Sequence, residues 1–251
     1  MTGRRVAGLD GCRGGWVCVW WDGGDGIGAV RIDDLASLFA GAEAPDLAAI
    51  DIPLGLPDRA GPGGRAPERL VRPRLGMRQS SVFSVPSRAA VEAGGEGTEG
   101  EHYARICAVA RATSEPPRAI SKQCFHILPK ILEADRLLRA RLDLHARLFE
   151  CHPEVSFWAM NGQSEVTAPK KVKGRPSEGG LDLRRTLLSE AGLPMAGMTR
   201  ETARALGAGY DDLIDACAAA WTARRIADGL ALRFPDPPER DVAGIPVAIH
   251  A

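Results

Sequence analysis

Residues 6–32 read VAGLDGCRGGWVCVWWDGGDGIGAVRI. Three apolar runs, Val6–Asp10, Trp16–Trp21 and Ile27–Ile32, are parted by the glycine-rich segments Gly11–Gly15 and Asp22–Gly26. Runs this short, rich in Val, Ile and Trp and bounded by Gly and Asp, read as strands rather than helices. Short turns join antiparallel neighbours, so the spacing predicts a three-strand antiparallel meander.

Working outward, Asp33 or Asp34 is positioned to cap a short helix through Leu35, Leu38 and Phe39. Leu47–Ile52 is an apolar run stopped by Pro53, Gly55 and Pro57, the pattern of a buried parallel strand. Residues 57–120 read as an insertion of helix and loop; from Pro57 to Gly100 it is rich in Gly, Pro, Arg and Ser and lacks sustained periodicity. Ser121–Leu144 is helical by the spacing of Ile127, Ile131 and Leu138, with Pro129 a candidate kink. Arg147–Cys151 reads as a strand stopped by Pro153, followed by a short helix through Val155, Phe157 and Trp158. Asn161–Gly180 reads as a polar loop, Leu181–Leu188 as helix, Asp211–Leu232 as an Ala-rich helix, and Ile245–Ile249 as an edge strand. This order predicts one α/β domain over residues 1–251: a mixed sheet of meander plus parallel strands, flanked by helices. It resembles the order of the RNase H-like superfamily.

Composition bounds the function. Hydrophobic residues are 45% and charged residues 25% of 251, which excludes a disordered or collagen-like chain. Formal net charge is zero, so a protein that coats DNA is not indicated. Basic residues do cluster locally, at Arg65, Arg69, Arg72, Arg74, Arg78 and Arg88 and at Lys170, Lys171, Lys173 and Arg175. Each cluster is either a phosphate contact or a solvated face. Cys12, Cys18, Cys107, Cys124, Cys151 and Cys217 form no Cys-x-x-Cys pair and no zinc set, so a reducing, cytoplasmic compartment is expected. No stretch approaches the ~20 apolar residues of a membrane span, and no membrane partner is expected. The chain enters its first strand within five residues, too soon for a signal peptide.

The chemistry lies in the carboxylates. Asp10 ends the first strand before Gly11, where it serves as a turn residue or as a ligand. Asp51 interrupts the apolar run Ala-Ala-Ile-Asp-Ile-Pro-Leu, where an unpaired charge costs several kcal/mol, so it pairs with an arginine or binds metal. The last helix opens Tyr210-Asp-Asp-Leu-Ile-Asp215. Helix capping explains Asp211 well and Asp212 in part, but not Asp215, which precedes a small apolar run. Neighbouring strands lie ~4.8 Å apart, so Asp10 and Asp51 on adjacent strand ends suit one cation. With Asp212 and Asp215 they form a hard oxygen set for Mg2+ or Mn2+, of the kind that hydrolyses phosphodiesters with one or two ions.

The stretches Gly8–Trp16, Ile50–Pro57, Arg78–Phe83, Glu150–Phe157 and Asp211–Ala216 resemble the family catalogued as domain of unknown function 429, described as predicted RNase H-like nucleases. The resemblance covers nearly the whole chain. Asp212-x-x-Asp215-Ala216 is also similar to the last helix of RuvC-type junction resolvases, and implies catalytic, metal-holding roles for Asp10, Asp51, Asp212 and Asp215. The resolvase pattern often has Glu where Asp51 stands, so the shorter side chain needs a closer metal. Glu150, His152 and Glu154 form a second polar group, with Glu154 or His152 expected to orient water or touch the metal from outside. Ser121, Lys122 and Gln123 match a family motif, either binding phosphate at a helix start or simply capping it. Substrate contacts are expected from Arg72, Arg74, Arg78, Ser121 and Lys122.

The leading expectation is therefore a metal-dependent nuclease acting on DNA or RNA. Two other classes share the superfold. A catalytically silent binding module would keep the fold and use the Arg-rich insertion for a partner. A phosphotransferase or ATPase of the actin and sugar-kinase group also opens on an Asp-Gly turn, but needs a duplicated domain and a second phosphate loop that these 251 residues lack.

Overall fold

The computed structural model describes residues 4–172 and 175–251, so Lys173 lies outside the described residues. Strands β1 (Val6–Cys12), β2 (Gly15–Trp21) and β3 (Ile27–Ile32) form the antiparallel meander. Only Arg13 and Gly14 separate β1 from β2, and Gly14 takes φ 76°, the left-handed conformation that so tight a reversal requires. Helix α1 (Leu35–Leu38) starts where the Asp34 carboxylate accepts from the Ser37 amide. Strand β4 (Leu47–Ile50) then joins β1 in parallel, with Leu9 opposite Ile50. A long excursion carries α2 (Ala66–Val71), α3 (Arg88–Glu92), α4 (Glu99–Ala112) and α5 (Lys122–Ala140) before β5 (Leu148–Glu150) returns parallel to β4. The sheet order β3-β2-β1-β4-β5 is that of an RNase H-like fold.

The second half of the chain covers the other face. It holds α6 (Pro153–Met160), the small hairpin β6 (Lys171–Val172) and β7 (Arg175–Pro176), α7 (Glu178–Glu190), α8 (Arg200–Ala205) and α9 (Tyr210–Ala227). A last hairpin pairs β8 (Arg233–Arg240) with β9 (Pro246–His250). Among the described residues, no helix is long and apolar enough to cross a membrane.

The excursion is the expected mixture of helix and loop; its α4 begins with a Thr98–Glu101 capping box and buries only Ile106, Cys107 and Ala110, too few positions to leave a clear period. Three expectations are corrected. The helix after Ser121 stops at Ala140, and a 3-10 turn follows over Leu142–Ala146. The polar stretch 161–180 contains the β6–β7 hairpin. The run at 245–249 pairs with β8 instead of edging the main sheet, which it meets only at a Cys151–His250 bridge. Pro235, Pro237 and Pro238 hid β8; they fall where its register shifts between Phe234 and Glu239, an irregularity that tolerates residues lacking an N–H.

Strand alternation sorts the sheet into two cores. Ala7, Leu9, Ala48 and Ile50 pack on the face that carries Leu128, Ile131 and Leu138 of α5. Val6, Leu47 and Ala49 pack on the opposite face, with Ile214, Cys217 and Ala218 of α9. Gly8 shares that second face, and α9 crosses it so closely that a Cβ on Gly8 would lie 1.9 Å from the Ala220 amide nitrogen and 2.2 Å from the Ala216 carbonyl oxygen. Small residues from Ala216 to Ala220 line the contact on the helix side, all fully buried.

Gly8→Ala must therefore push α9 away from the sheet. It is expected to cost about 3 kcal/mol or more, the upper range for overpacking, read as a lower denaturation midpoint at unchanged m-value.

Candidate active site

Parity places the strand carboxylates. Asp10 follows Gly8 by two positions and Asp51 follows Ala49 by two, so both belong to the face covered by α9. The Asp51 amide donates to the Leu9 carbonyl at 2.9 Å, carrying the β1–β4 ladder one step past the strand and setting Asp51 beside Asp10. Helix α9 contributes Asp215, one residue before the Ala216 carbonyl that rests against Gly8. One oxygen from each of Asp10, Asp51 and Asp215 lies within 4.8 Å of the other two.

The charges in this cluster oppose one another. Burial, then the neighbouring Asp51 and Asp215, hold the Asp10 carboxyl well above the usual range. Burial and Asp215 push Asp51 up to about 8. Asp215, 4% exposed, is raised to about 6 by burial, with Lys170 pulling the other way. The Lys170 ammonium bonds Asp215 Oδ2, while Asp215 Oδ1 is buried and has no hydrogen-bond partner. The Gly11 amide donates to Asp10 Oδ1 at 2.8 Å.

Asp212 stands apart from the three. Its Oδ2 accepts from the Gly209 amide at 2.9 Å, closing the first turn of α9, and its charge reaches Asp10 only as a minor influence. Asp211 pairs with Lys171 at 2.7 Å.

Glu154 borders the cavity, but both its oxygens accept from Arg184, at 2.7 Å each from Nη2. Arg184 is fully buried and also donates to the Gly180 and Ala168 carbonyls. Glu154 thus anchors α7 on α6, with most of its acceptor capacity taken by Arg184. Glu150 is structural in the same way: it accepts from Arg65 at 2.6 Å and from the Leu54 amide at 2.8 Å. Arg65 bonds Glu68 and the Leu54 and Gly55 carbonyls as well, which fixes the loop just after Asp51. His152 differs from both glutamates. It lines the cavity, burial lowers its pKa, and its Nδ1 is buried without a partner.

Two adjoining cavities open on the cluster, of about 340 Å³ and about 370 Å³, sharing Asp51, Ser81, Gln123 and His152. Of the arginine cluster expected to meet phosphate, only Arg78 lines either one. Arg72 donates to the Val82 and Gly63 carbonyls and to Ser84, so its guanidinium braces the excursion. Arg74 lies over the Phe234 ring, 4.7 Å from its centroid. Arg88 bridges Asp135 and Asp241. Ser121 is a plain cap, accepting from the Cys124 amide at 3.1 Å. Lys122 sits 4.0 Å from the Tyr103 centroid and 3.6 Å from Glu99, away from the carboxylates. The part of α5 that does reach the cavity is Gln123, His126, Ile127 and Lys130. Their spacing of i, i+3, i+4 and i+7 marks one helix face and was the signal available in the sequence. Arg184 had no such signal: nothing local separates it from Arg185.

Residues 8–240 match the family described as protein of unknown function, DUF429, and the chain belongs to that family. No curated protein and no solved structure matches it.

The Glu154–Arg184 pair supports α6 and α7 and lies beside the carboxylates without joining them. Arg184→Met should cost about 3–5 kcal/mol by stranding a buried carboxylate, and adding Glu154→Gln should recover part of that loss. Equilibrium denaturation of the two variants checks this.

Proposed function

We propose that this DUF429 family member is a metal-dependent nuclease that hydrolyses phosphodiester bonds in DNA or RNA, with Mg2+ or Mn2+ held by Asp10, Asp51 and Asp215. One observation carries the reading: three carboxylates from two strand ends and a helix, separated by up to 205 positions in the chain (Asp10 to Asp215), converge within 4.8 Å. An all-oxygen set suits a hard divalent cation. The fit is supported by Asp215 Oδ1, a buried acceptor without a hydrogen-bond partner among the described residues. When bound, such a cation supplies Lewis-acid activation of water and of the phosphoryl group.

The chain's own groups have separate tasks. Arg78 borders the same cavity as Asp51 and Asp215 and is placed to hold a phosphate oxygen. Lys170 neutralises Asp215 in the free protein, and its ammonium can exchange that ion pair for one with a substrate phosphate. Asp212 caps the helix that presents Asp215, so its contribution is positional. All six cysteines are buried and unpaired, in keeping with a reducing cytoplasmic setting.

The Lys170–Asp215 pair favours a second reading. A lysine that neutralises the cluster does part of a cation's work, as in a catalytically silent RNase H-like module that binds its partner without cleaving it.

Calorimetric titration of Mn2+ separates the two. Wild type is expected to bind, and in Asp10→Asn and Asp215→Asn the Kd should rise about 100-fold or more, since losing even a supporting partner can cost that much. Manganese-dependent cleavage of labelled DNA or RNA oligonucleotides should vanish in the same variants. A folded wild type that binds no manganese would remove the nuclease reading and leave the silent module.

A further inference from the structure

The space beside the carboxylates is a cavity lined by the excursion and by α5. Val82 and Phe83 form part of one wall and Ile127 of α5 part of another, with Asp10 and Asp51 bordering the same cavity. At about 340 Å³ it falls at the small end of the range for small-molecule sites, the scale of one nucleotide unit. A cavity of this size holds one nucleotide unit and not a duplex.

The walls suit a flat heteroaromatic ring. Phe83 is half-buried and packs in part against the main core, and among the described residues its ring joins no aromatic pair and lies under no cation. Gln123 and His126 border the same space and are exposed. An amide offers donors and an acceptor together, as reading a base edge requires. Of the arginines of the excursion, Arg72 is committed to carbonyls, Arg74 to Phe234 and Arg88 to two aspartates, while Lys170 and Lys171 border the adjoining cavity. Arg78 remains at the carboxylate end.

We propose that this slot takes the base of a single nucleotide, stacked against Phe83 and read by Gln123, with the phosphate directed to the carboxylates and Arg78. The substrate class is then a strand end or a free nucleotide, not the interior of a duplex. The direction of the phosphate rests on the nuclease reading; the base slot does not.

The test measures binding of adenosine monophosphate, ribose phosphate, a short single-stranded oligonucleotide and a blunt duplex, each with and without Mn2+. The base should strengthen binding about tenfold or more over ribose phosphate, as stacking on one aromatic ring does. Ile127→Trp fills the slot and should erase that ratio while manganese affinity stays as in wild type. Gln123→Ala, at an exposed position, should weaken the monophosphate several-fold and leave ribose phosphate unchanged, which guards against misfolding of the tryptophan variant. An oligonucleotide that outbinds the monophosphate identifies a strand end as the ligand, and the reverse order a free nucleotide; both support the slot. Equal affinity for the monophosphate and ribose phosphate, a ratio untouched in both variants, or tightest binding to the blunt duplex would overturn it. Wild type that binds no manganese but keeps the base-dependent ratio in metal-free buffer would sink the nuclease reading and leave the slot standing.

Discussion

Everything at the site depends on how closely α9 lies on β1. The helix touches the strand backbone at Gly8, where no side chain fits, and its own contact surface is a run of alanines with Cys217. Only that approach brings Asp215 down to the strand ends. Parallel pairing of β1 with β4 supplies the other half, because it sets Asp10 and Asp51 side by side on the face that α9 covers. Packing of small residues thus becomes chemistry: a close helix–strand contact delivers the third carboxylate.

Charge accounting separates this cluster from the rest of the buried polar groups. Glu154 has Arg184, Glu150 has Arg65, and Asp135 and Asp241 share Arg88. Each of those acids is matched by a guanidinium and brings two elements together. Among the described residues, Asp10, Asp51 and Asp215 have one ion pair between them, from Lys170 to Asp215. Buried like charges at this separation favour protonation or a cation, and the raised carboxyls express that pressure. A site left under such strain, inside a fold that satisfies its other ion pairs, is where function is expected.

Much of this was legible in the sequence, for physical reasons. Glycine punctuation between Val- and Trp-rich runs encodes the meander, and the period of two puts Asp10 and Asp51 on one face. Asp215 stood out because a charge ahead of an alanine run has no capping role. Its neighbour Asp212 was harder to place, since a first-turn acid can cap or coordinate, and only the helix position shows that it caps. The arginines misled for a different reason. A guanidinium reaches far enough to serve backbone carbonyls of its own loop, as Arg72 does, or an aromatic ring across the molecule, as Arg74 does. Local sequence carries no trace of those partners. Strand β8 was hidden by its prolines, and α4 by a buried face of three residues.

The most direct measurement is anomalous diffraction from crystals of the wild-type protein soaked in manganese. A single strong peak is expected, bonded by oxygens of Asp10, Asp51 and Asp215, with the Lys170 ammonium withdrawn from Asp215. Crystals at saturating manganese that show no peak there, with Lys170 still bonded to Asp215, would contradict it.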